Sequence, residues 1–219
     1  MTRLPDALFR SPLPGLGRPL TETEGALAAN YLNLLTKWSK TQRLVGSVEP
    51  MWLIENVFLD SLCFLAAIPP EARRLADVGS GAGIPGIPVA IVSPELEVDL
   101  IESRQRRVSF LSTAVRELSL PRVRVVGARV EDLSVSHSQL FDAITVRCAG
   151  DVRAIIPRVL PLLRPGGVLV ISASPGSSGR DGDLVVTRTL NGRPRTFQRI
   201  VKPLTVLDRI MPNPRQCST

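Results

Sequence analysis

The chain has 219 residues, of which 44% are hydrophobic, so one globular domain can bury its own core without metals or disulfides. No apolar stretch approaches the ~20 residues of a membrane helix, and the three cysteines lack the CxxC spacing of a zinc site or the even number of a disulfide framework. The net charge of +7 favours a polyanionic partner such as RNA. The N-terminus lacks the apolar run of a signal peptide, which makes the cytoplasm the expected location.

The N-terminal third predicts an arm and two helices ahead of the first strand. Residues 1–20 contain several prolines and glycines and predict an extended arm. Residues 21–70 predict a helical extension with two helices, one over 21–42 and an amphipathic one over 51–67. Thr21 or Thr23 can cap the first helix, and Glu24 completes a capping box with Thr21. The spacing of one apolar stripe predicts core packing for the first helix, and its members are Leu27, Tyr31, Leu34, Leu35 and Trp38.

Residues 71–219 predict a Rossmann-like core in which strands alternate with helices. Such alternation is typical of a parallel sheet with helices on both faces. Helices are expected over 87–92, from a Ser103 cap to residue 118, and over 152–163. The strands are expected over 75–78, 98–101, 123–126, 141–146 and 168–172.

The end of the chain departs from this alternation. After a Ser/Gly loop over 174–182, residues 184–190 alternate and meet Asn191-Gly192, which is a strong hairpin turn signal, and residues 196–201 can return antiparallel. A parallel sheet finished by an antiparallel hairpin is the pattern of class I methyltransferases. The predicted class is therefore an α/β, Rossmann-like methyltransferase core with an N-terminal helical extension.

The glycine loop after the first strand favours S-adenosylmethionine as the cofactor. Backbone N–H groups can approach a ligand only where side chains are absent. Gly79, Gly81 and Gly83 follow a GxGxG order, with Ile84 where a dinucleotide motif has its third glycine. Asp77 precedes the loop, where a carboxylate can face the cationic methionine end of the cofactor but would be out of place beside a pyrophosphate.

Other candidate site residues follow the next strands. Glu102 ends the second strand, where an acid can accept both ribose hydroxyls, although nicotinamide enzymes share this feature. Val130 and Glu131 follow the third strand, where such folds contact the adenine; a solvated turn is an equal alternative. Arg147 ends the fourth strand and is the candidate catalytic residue, able to hold a phosphate, the cofactor carboxylate or the acceptor base.

Motifs that are missing from the sequence narrow the range of chemical groups that could accept the methyl group. The fourth strand is not followed by an Asn-Pro-Pro-aromatic run or a Pro-Cys pair, and Cys148 is better explained as a small packing residue. The single histidine, His137, has no accompanying nucleophile motif. A reaction without a general base fits best, such as attack by the N7 lone pair of guanine on a sulfonium methyl group. Basic residues are clustered as an RNA partner would require: Arg104, Arg106, Arg107, Arg193, Arg195, Arg199, Lys202, Arg209 and Arg215.

The glycine loop and its extension, Asp77 to Pro88, resemble the signature of the small-subunit ribosomal RNA 7-methylguanosine methyltransferases, also called glucose-inhibited division protein B. Shorter stretches of the chain also support the resemblance: 59–62, 100–103, Arg107, 110–111, 129–131 and 146–147. The resemblance implies N7 methylation of a guanosine in 16S ribosomal RNA, on the small subunit or its precursor. It also implies that the cofactor is contacted by a set of five residues and that Asp77 and Glu102 lie nearby. The five are Gly79, Ile84, Val130, Glu131 and Arg147.

The chain departs from the family pattern on the acceptor side. Arg43-Leu44-Val45 replaces an Asn-Leu-Thr run, Val57 replaces a histidine, and Ser174-Pro175-Gly176 replaces a Lys-Gly. These losses leave two alternatives, a methyltransferase that acts on a small molecule or another acceptor, and a catalytically silent RNA-binding protein. A nicotinamide oxidoreductase is a more distant one. No metal and no membrane are expected as partners.

Overall fold

A computed structural model describes residues 2–133, 138–147, 152–173 and 182–204. Its described strands form one sheet in the order β3-β2-β1-β4-β5-β7-β6. Strands β1 to β5 are parallel, whereas β7 pairs antiparallel with both β5 and β6. The predicted parallel sheet with a terminal hairpin is thus confirmed, and the strands are β1 Arg74–Val78, β2 Glu97–Ile101, β3 Val123–Val126, β4 Phe141–Val146, β5 Leu163–Ala173, β6 Asp183–Arg188 and β7 Pro194–Val201.

Helices occupy the connections between these strands and the region before them. The predicted helix over 51–67 is confirmed as a helical segment, but its middle, Ile54–Leu59, is π-helical and its end, Cys63–Ala66, is a 3-10 helix. None of the described helices is both long and apolar enough to cross a membrane. The α-helices are α1 Glu22–Ser39, α2 Pro50–Leu53, α3 Asp60–Leu62, α4 Gly86–Val92, α5 Gln105–Glu117 and α6 Val152–Val159.

Helix α1 begins at the predicted capping box. Glu24 N donates to Thr21 Oγ1 at 3.2 Å, and Thr21 N donates to Glu24 Oε2 at 2.8 Å. Tyr31, Leu32 and Leu35 are fully buried on the inner face of the helix. Residues 2–20 precede α1 with a short 3-10 helix, Asp6–Phe9, and several of their leucines join the same core. The division of the chain at residues 20 and 70 remains a prediction.

Two predicted boundaries are wrong for identifiable reasons. Ser103 does not cap α5, because the helix begins at Gln105 and Arg104 N donates instead to Glu102 Oε1 at 2.9 Å. The helix predicted over 152–163 ends at Val159, and Leu160–Leu162 forms a 3-10 helix. Strand β5 then starts at Leu163 instead of Val168, because Leu163 pairs with Phe141 and a register shift accommodates the residues that follow.

Gly86, the first residue of α4, is required by close packing. A Cβ atom there would lie 2.3 Å from Leu100 Cδ2 and 2.8 Å from Asp77 Oδ2. We expect Gly86→Ala to lower the free energy of unfolding by about 2 kcal/mol, because overpacking outweighs the usual gain of a Gly-to-Ala change. Urea denaturation measures this, with Gly46→Ala as the control because its nearest neighbour would be 3.7 Å away. Equal stability of the two variants would contradict the packing argument.

Candidate active site

The carboxyl ends of four neighbouring strands lie at one level of the sheet. Val78 of β1 is in register with Ile101 of β2 and with Val146 of β4, and Ile101 is in register with Val126 of β3. The next residues of β1, β2 and β4 are Gly79, Glu102 and Arg147. The fold therefore brings these predicted site residues to one edge, at the point where the order of parallel strands reverses and α/β proteins bind ligands.

The three loop glycines all have positive φ, but they face different surroundings. The φ angles are 71° at Gly79, 59° at Gly81 and 83° at Gly83. A Cβ atom on Gly79 would have no neighbour within 4 Å, whereas one on Gly83 would lie 2.5 Å from Ile87 Cδ1. Gly79 thus borders the open crevice, whereas Gly83 and the partly buried Ile84 support the loop from the core side.

Glu102 ties the glycine loop to the start of α5. Its Oε2 accepts from Gly81 N at 3.0 Å, its Oε1 accepts from Arg104 N at 2.9 Å, and Arg107 Nη1 lies 3.6 Å from Oε2. Two carboxylate oxygens provide about four acceptor positions, so positions remain for ribose hydroxyls. The geometry fits the role predicted for Glu102, which is a proposal for this chain.

Asp77 supports the loop from behind. The residue has no exposed surface; Gly86 N donates to its Oδ2 and Thr145 Oγ1 donates to its Oδ1, both at 3.0 Å. Burial raises the pKa of this carboxyl group to about 6, although these hydrogen bonds and the charge of Arg147 oppose the shift. Because Asp77 has no exposed surface, it has no direct contact to offer a ligand, and its predicted role toward a cationic ligand would be exercised through its charge and through the loop that it supports.

The affinity for S-adenosylmethionine should depend on the ionisation of Asp77. Because the pKa of Asp77 is raised, the carboxyl group is neutral below about pH 6 and negative above it. A cationic ligand favours the ionised form, so its affinity should rise with pH, by up to about tenfold between pH 5 and 7.5. Calorimetric titration across this range measures the slope. The Asp77→Asn variant should bind weakly with a flat profile, and an unchanged slope in that variant would contradict the assignment.

Val130 and Glu131 begin the 3-10 helix Val130–Leu133 after β3. Val130 is buried in the core cluster that also holds Val78 and Ile101. Glu131 is exposed and its Oε1 lies 2.6 Å from Arg158 Nη1 of α6. The segment therefore continues the same edge beyond β3, and its proposed role beside the adenine rests on this position.

Arg147 reaches from β4 to the helical segment before the sheet. Its Nη2 donates to Asn56 O at 3.1 Å and to Asp60 Oδ2 at 3.0 Å. The side chain is 22% exposed, so it is held in place but still borders the crevice. The neighbouring Cys148, like His137, lies outside the described residues.

Several residues that serve this site were not singled out for it by sequence reasoning. Tyr31, predicted only as core packing, donates its hydroxyl to Ala82 O of the glycine loop at 2.8 Å, and burial raises the pKa of the phenol. Thr145, Asn56 and Asp60 contact Asp77 or Arg147. Tyr31 had a usable signal, because a buried tyrosine hydroxyl normally finds a hydrogen-bond partner, and Asp60 lies in the 59–62 run that supports the family resemblance.

The family comparison covers most of this architecture. A family model described as GidB, rRNA small subunit methyltransferase G, matches residues 25–175. The ribosomal RNA small subunit methyltransferase G of Desulfitobacterium hafniense (strain Y51) is 37% identical over 153 residues, which cover 69% of this chain and 62% of that protein. The protein of the same name from Xanthomonas campestris pv. campestris (strain B100) is 39% identical over 140 residues, or 64% of each chain. The match thus spans less than two thirds of these relatives.

Among solved structures, cofactor-bound Rv0187 from MTB covers 81% of this chain and 90% of its own, with a TM-score of 0.56 and 18% identity. At this identity the likeness concerns the fold alone. The sheet order and the terminal antiparallel hairpin define the fold of class I S-adenosylmethionine-dependent methyltransferases. Within that class, the chain belongs to the GidB family of rRNA small subunit methyltransferases, which confirms the resemblance seen in its glycine loop.

Proposed function

We propose that this protein transfers a methyl group from S-adenosylmethionine to N7 of a guanosine in 16S ribosomal RNA, in the cytoplasm. The observation that carries the proposal is the alignment of Gly79, Glu102 and Arg147 at one edge of the sheet in a chain of the GidB family. The cofactor supplies an electrophilic methyl group on a sulfonium, which the N7 lone pair accepts without loss of a proton. A general base is therefore not needed.

The residues of the chain then bind the cofactor and the RNA and orient them for the transfer. Gly79 leaves room at the crevice, Glu102 has acceptor positions for hydroxyls, and the charge of Asp77 favours a cation. Arg147 lies between this edge and the helical segment, where it can hold an anionic or acceptor group of the RNA. Correct positioning and exclusion of water are sufficient sources of rate enhancement for such a transfer.

The basic residues divide into supporting and exposed groups. Arg107, Arg195 and Lys202 contact Glu102, Asp60 and Leu163 O inside the fold. Arg104 and Arg106 are exposed beside the glycine loop, and Arg193 is exposed at the hairpin turn. Arg209 and Arg215 lie outside the described residues. These exposed arginines are available for contacts with phosphates and support RNA as the acceptor.

The test is transfer of labelled methyl from S-adenosylmethionine to unmodified 16S RNA and to small ribosomal subunits. The product is located by cleavage at 7-methylguanosine, and cofactor binding is measured on the same sample. A stoichiometric label at one guanine supports the proposal. Cofactor binding without label on either substrate contradicts it and redirects the search to small-molecule acceptors, and binding of RNA without any transfer to acceptors indicates a silent RNA-binding protein.

A further inference from the structure

The Asp60 carboxylate lies between two arginines from distant parts of the chain. Its Oδ2 accepts from Arg147 Nη2 at 3.0 Å, and its Oδ1 pairs with Nε of Arg195 in β7. The Asp60 side chain is 7% exposed, whereas those of Arg147 and Arg195 are 22% and 41% exposed. One buried anion therefore joins the end of β4 to the terminal hairpin.

A carboxylate in this environment must be paired. Burial of a charge is costly unless opposite charges and hydrogen bonds compensate for lost water. Without the carboxylate, the Arg147 and Arg195 guanidinium groups would repel each other across the gap. Arg195 is the more exposed of the two, so it would turn toward solvent, and Arg147 would keep only its bond to Asn56 O.

The same residues border a second cavity beside the crevice. This pocket lies between the π-helical stretch Ile54–Leu59 and the β6–β7 turn, and its lining includes Asn56, Leu59, Asn191 and Arg195. Asn56 also contacts Arg147, and Arg195 also contacts Asp60. This small cavity therefore lies next to the residues that contact Arg147 and Asp60, and it is too small to hold a nucleotide.

We propose that Asp60 is a positioning residue that sets Arg147 in the crevice where the acceptor nucleotide binds and, through Arg195, holds the β6–β7 hairpin beside that crevice. This inference rests on the proposed function for the identity of the acceptor. Arginines at both ends of the cluster suit phosphate and purine edges. The carboxylate acts through these arginines and does not itself touch the reacting atoms.

The first test compares Asp60→Asn, which keeps the shape but removes the charge, with Asp99→Asn. Asp99 is a matched control because it is also buried and paired with an arginine, Arg124, on the far side of the sheet. We expect Asp60→Asn to reduce kcat/KM for RNA by about 100-fold, as misplacement of a positioning group does. The Kd of S-adenosylmethionine should change by less than about threefold in both variants. Asp60→Glu should recover part of the activity.

The second test separates positioning from general stabilisation. In an Arg195→Gln background, Asp60→Asn should cost clearly less in kcat/KM than it does in the wild type, because the part of its effect that passes through Arg195 is already lost. An equal loss of about 100-fold in both backgrounds would overturn the proposal, since none of the effect of Asp60 would then pass through Arg195 and the hairpin. A large effect of Asp99→Asn on activity would overturn it as well.

A direct readout of the pair distinguishes failure of this inference from failure of the proposed function. Solvent exchange of the Arg195 Nε proton is measured by NMR and assigned with Arg195→Gln. Exchange should be slow in the wild type and in Asp99→Asn, and at least about tenfold faster in Asp60→Asn, because the ion pair with the Asp60 carboxylate keeps this buried nitrogen away from water. Equal exchange with and without the carboxylate overturns the inference. Protection in a protein that transfers no methyl group leaves the pair intact and rejects the proposed function instead.

Discussion

Replacement of Gly79 by valine should raise the Kd of S-adenosylmethionine by at least about 100-fold, a loss of about 2.7 kcal/mol of binding free energy. Gly79 has a φ of 71°, which costs a β-branched residue about 1–3 kcal/mol of strain. Its missing Cβ atom points to a space without neighbours within 4 Å at the edge of the crevice. The valine side chain would fill the place where the loop must approach the ligand. Isothermal titration calorimetry measures the Kd.

Gly17→Val is the matched control for this variant. Gly17 has a φ of 73° and also has no neighbour within 4 Å, so it brings the same strain without lying in the glycine loop. The control should lose thermal stability to a similar extent but bind the cofactor like the wild type. Unchanged affinity in Gly79→Val would remove this loop from the cofactor site, and equal loss in both variants would attribute the effect to folding.

Removal of the Arg147 side chain, in Arg147→Ala, should lower the rate of methyl transfer by at least about 100-fold. The side chain borders the crevice and is held by Asn56 O and by Asp60, so its loss removes a charge that is already oriented. The fold should remain intact because Asp60 retains its contact with Arg195. Initial rates with saturating cofactor measure the change, and circular dichroism confirms the fold.

Arg124→Ala serves as the control for this second variant. It removes an arginine from another buried aspartate, Asp99, between β2 and β3 and away from the end of β4. The control should lose stability but little activity. Arg147→Lys should remain impaired, because an ammonium group lacks the planar pair of donors of a guanidinium group. Full activity of Arg147→Ala would exclude Arg147 from the reaction.

The positions of the glycine loop and of Glu102 at one edge of the sheet, here called the cofactor half, could be predicted because these residues lie in short, local patterns. The glycine loop and Glu102 each follow directly on an apolar strand, so the strand ends alone place them together. The Thr21–Glu24 capping box is equally local and is confirmed. The wrong prediction at Ser103 concerns a local feature too, since the helix begins two residues later, at Gln105, with Arg104 at its N-cap position.

The acceptor half could not be predicted in the same way. Asp60 and Arg195 belong to segments at opposite ends of the chain, and only the insertion of β7 between β5 and β6 brings them into contact. Composition marks Arg195 merely as one of many basic residues. The backbone carbonyl of Asn56, which accepts from Arg147, lies in the π-helical stretch Ile54–Leu59, and no simple periodicity distinguishes this stretch from an α-helix.

The distance along the chain between Asp60 and Arg195 also bears on the order of folding. Strands β1 to β4 and the connections between them provide the cofactor half from one continuous stretch, residues 74–147. The Asp60–Arg195 pair closes a much longer loop, and the entropy of closure grows with loop length. We therefore expect the cofactor half to form early in folding and the acceptor half to form late, when the hairpin docks on β5. Slow amide exchange in β1 and β4 and faster exchange in β6 would show this hierarchy.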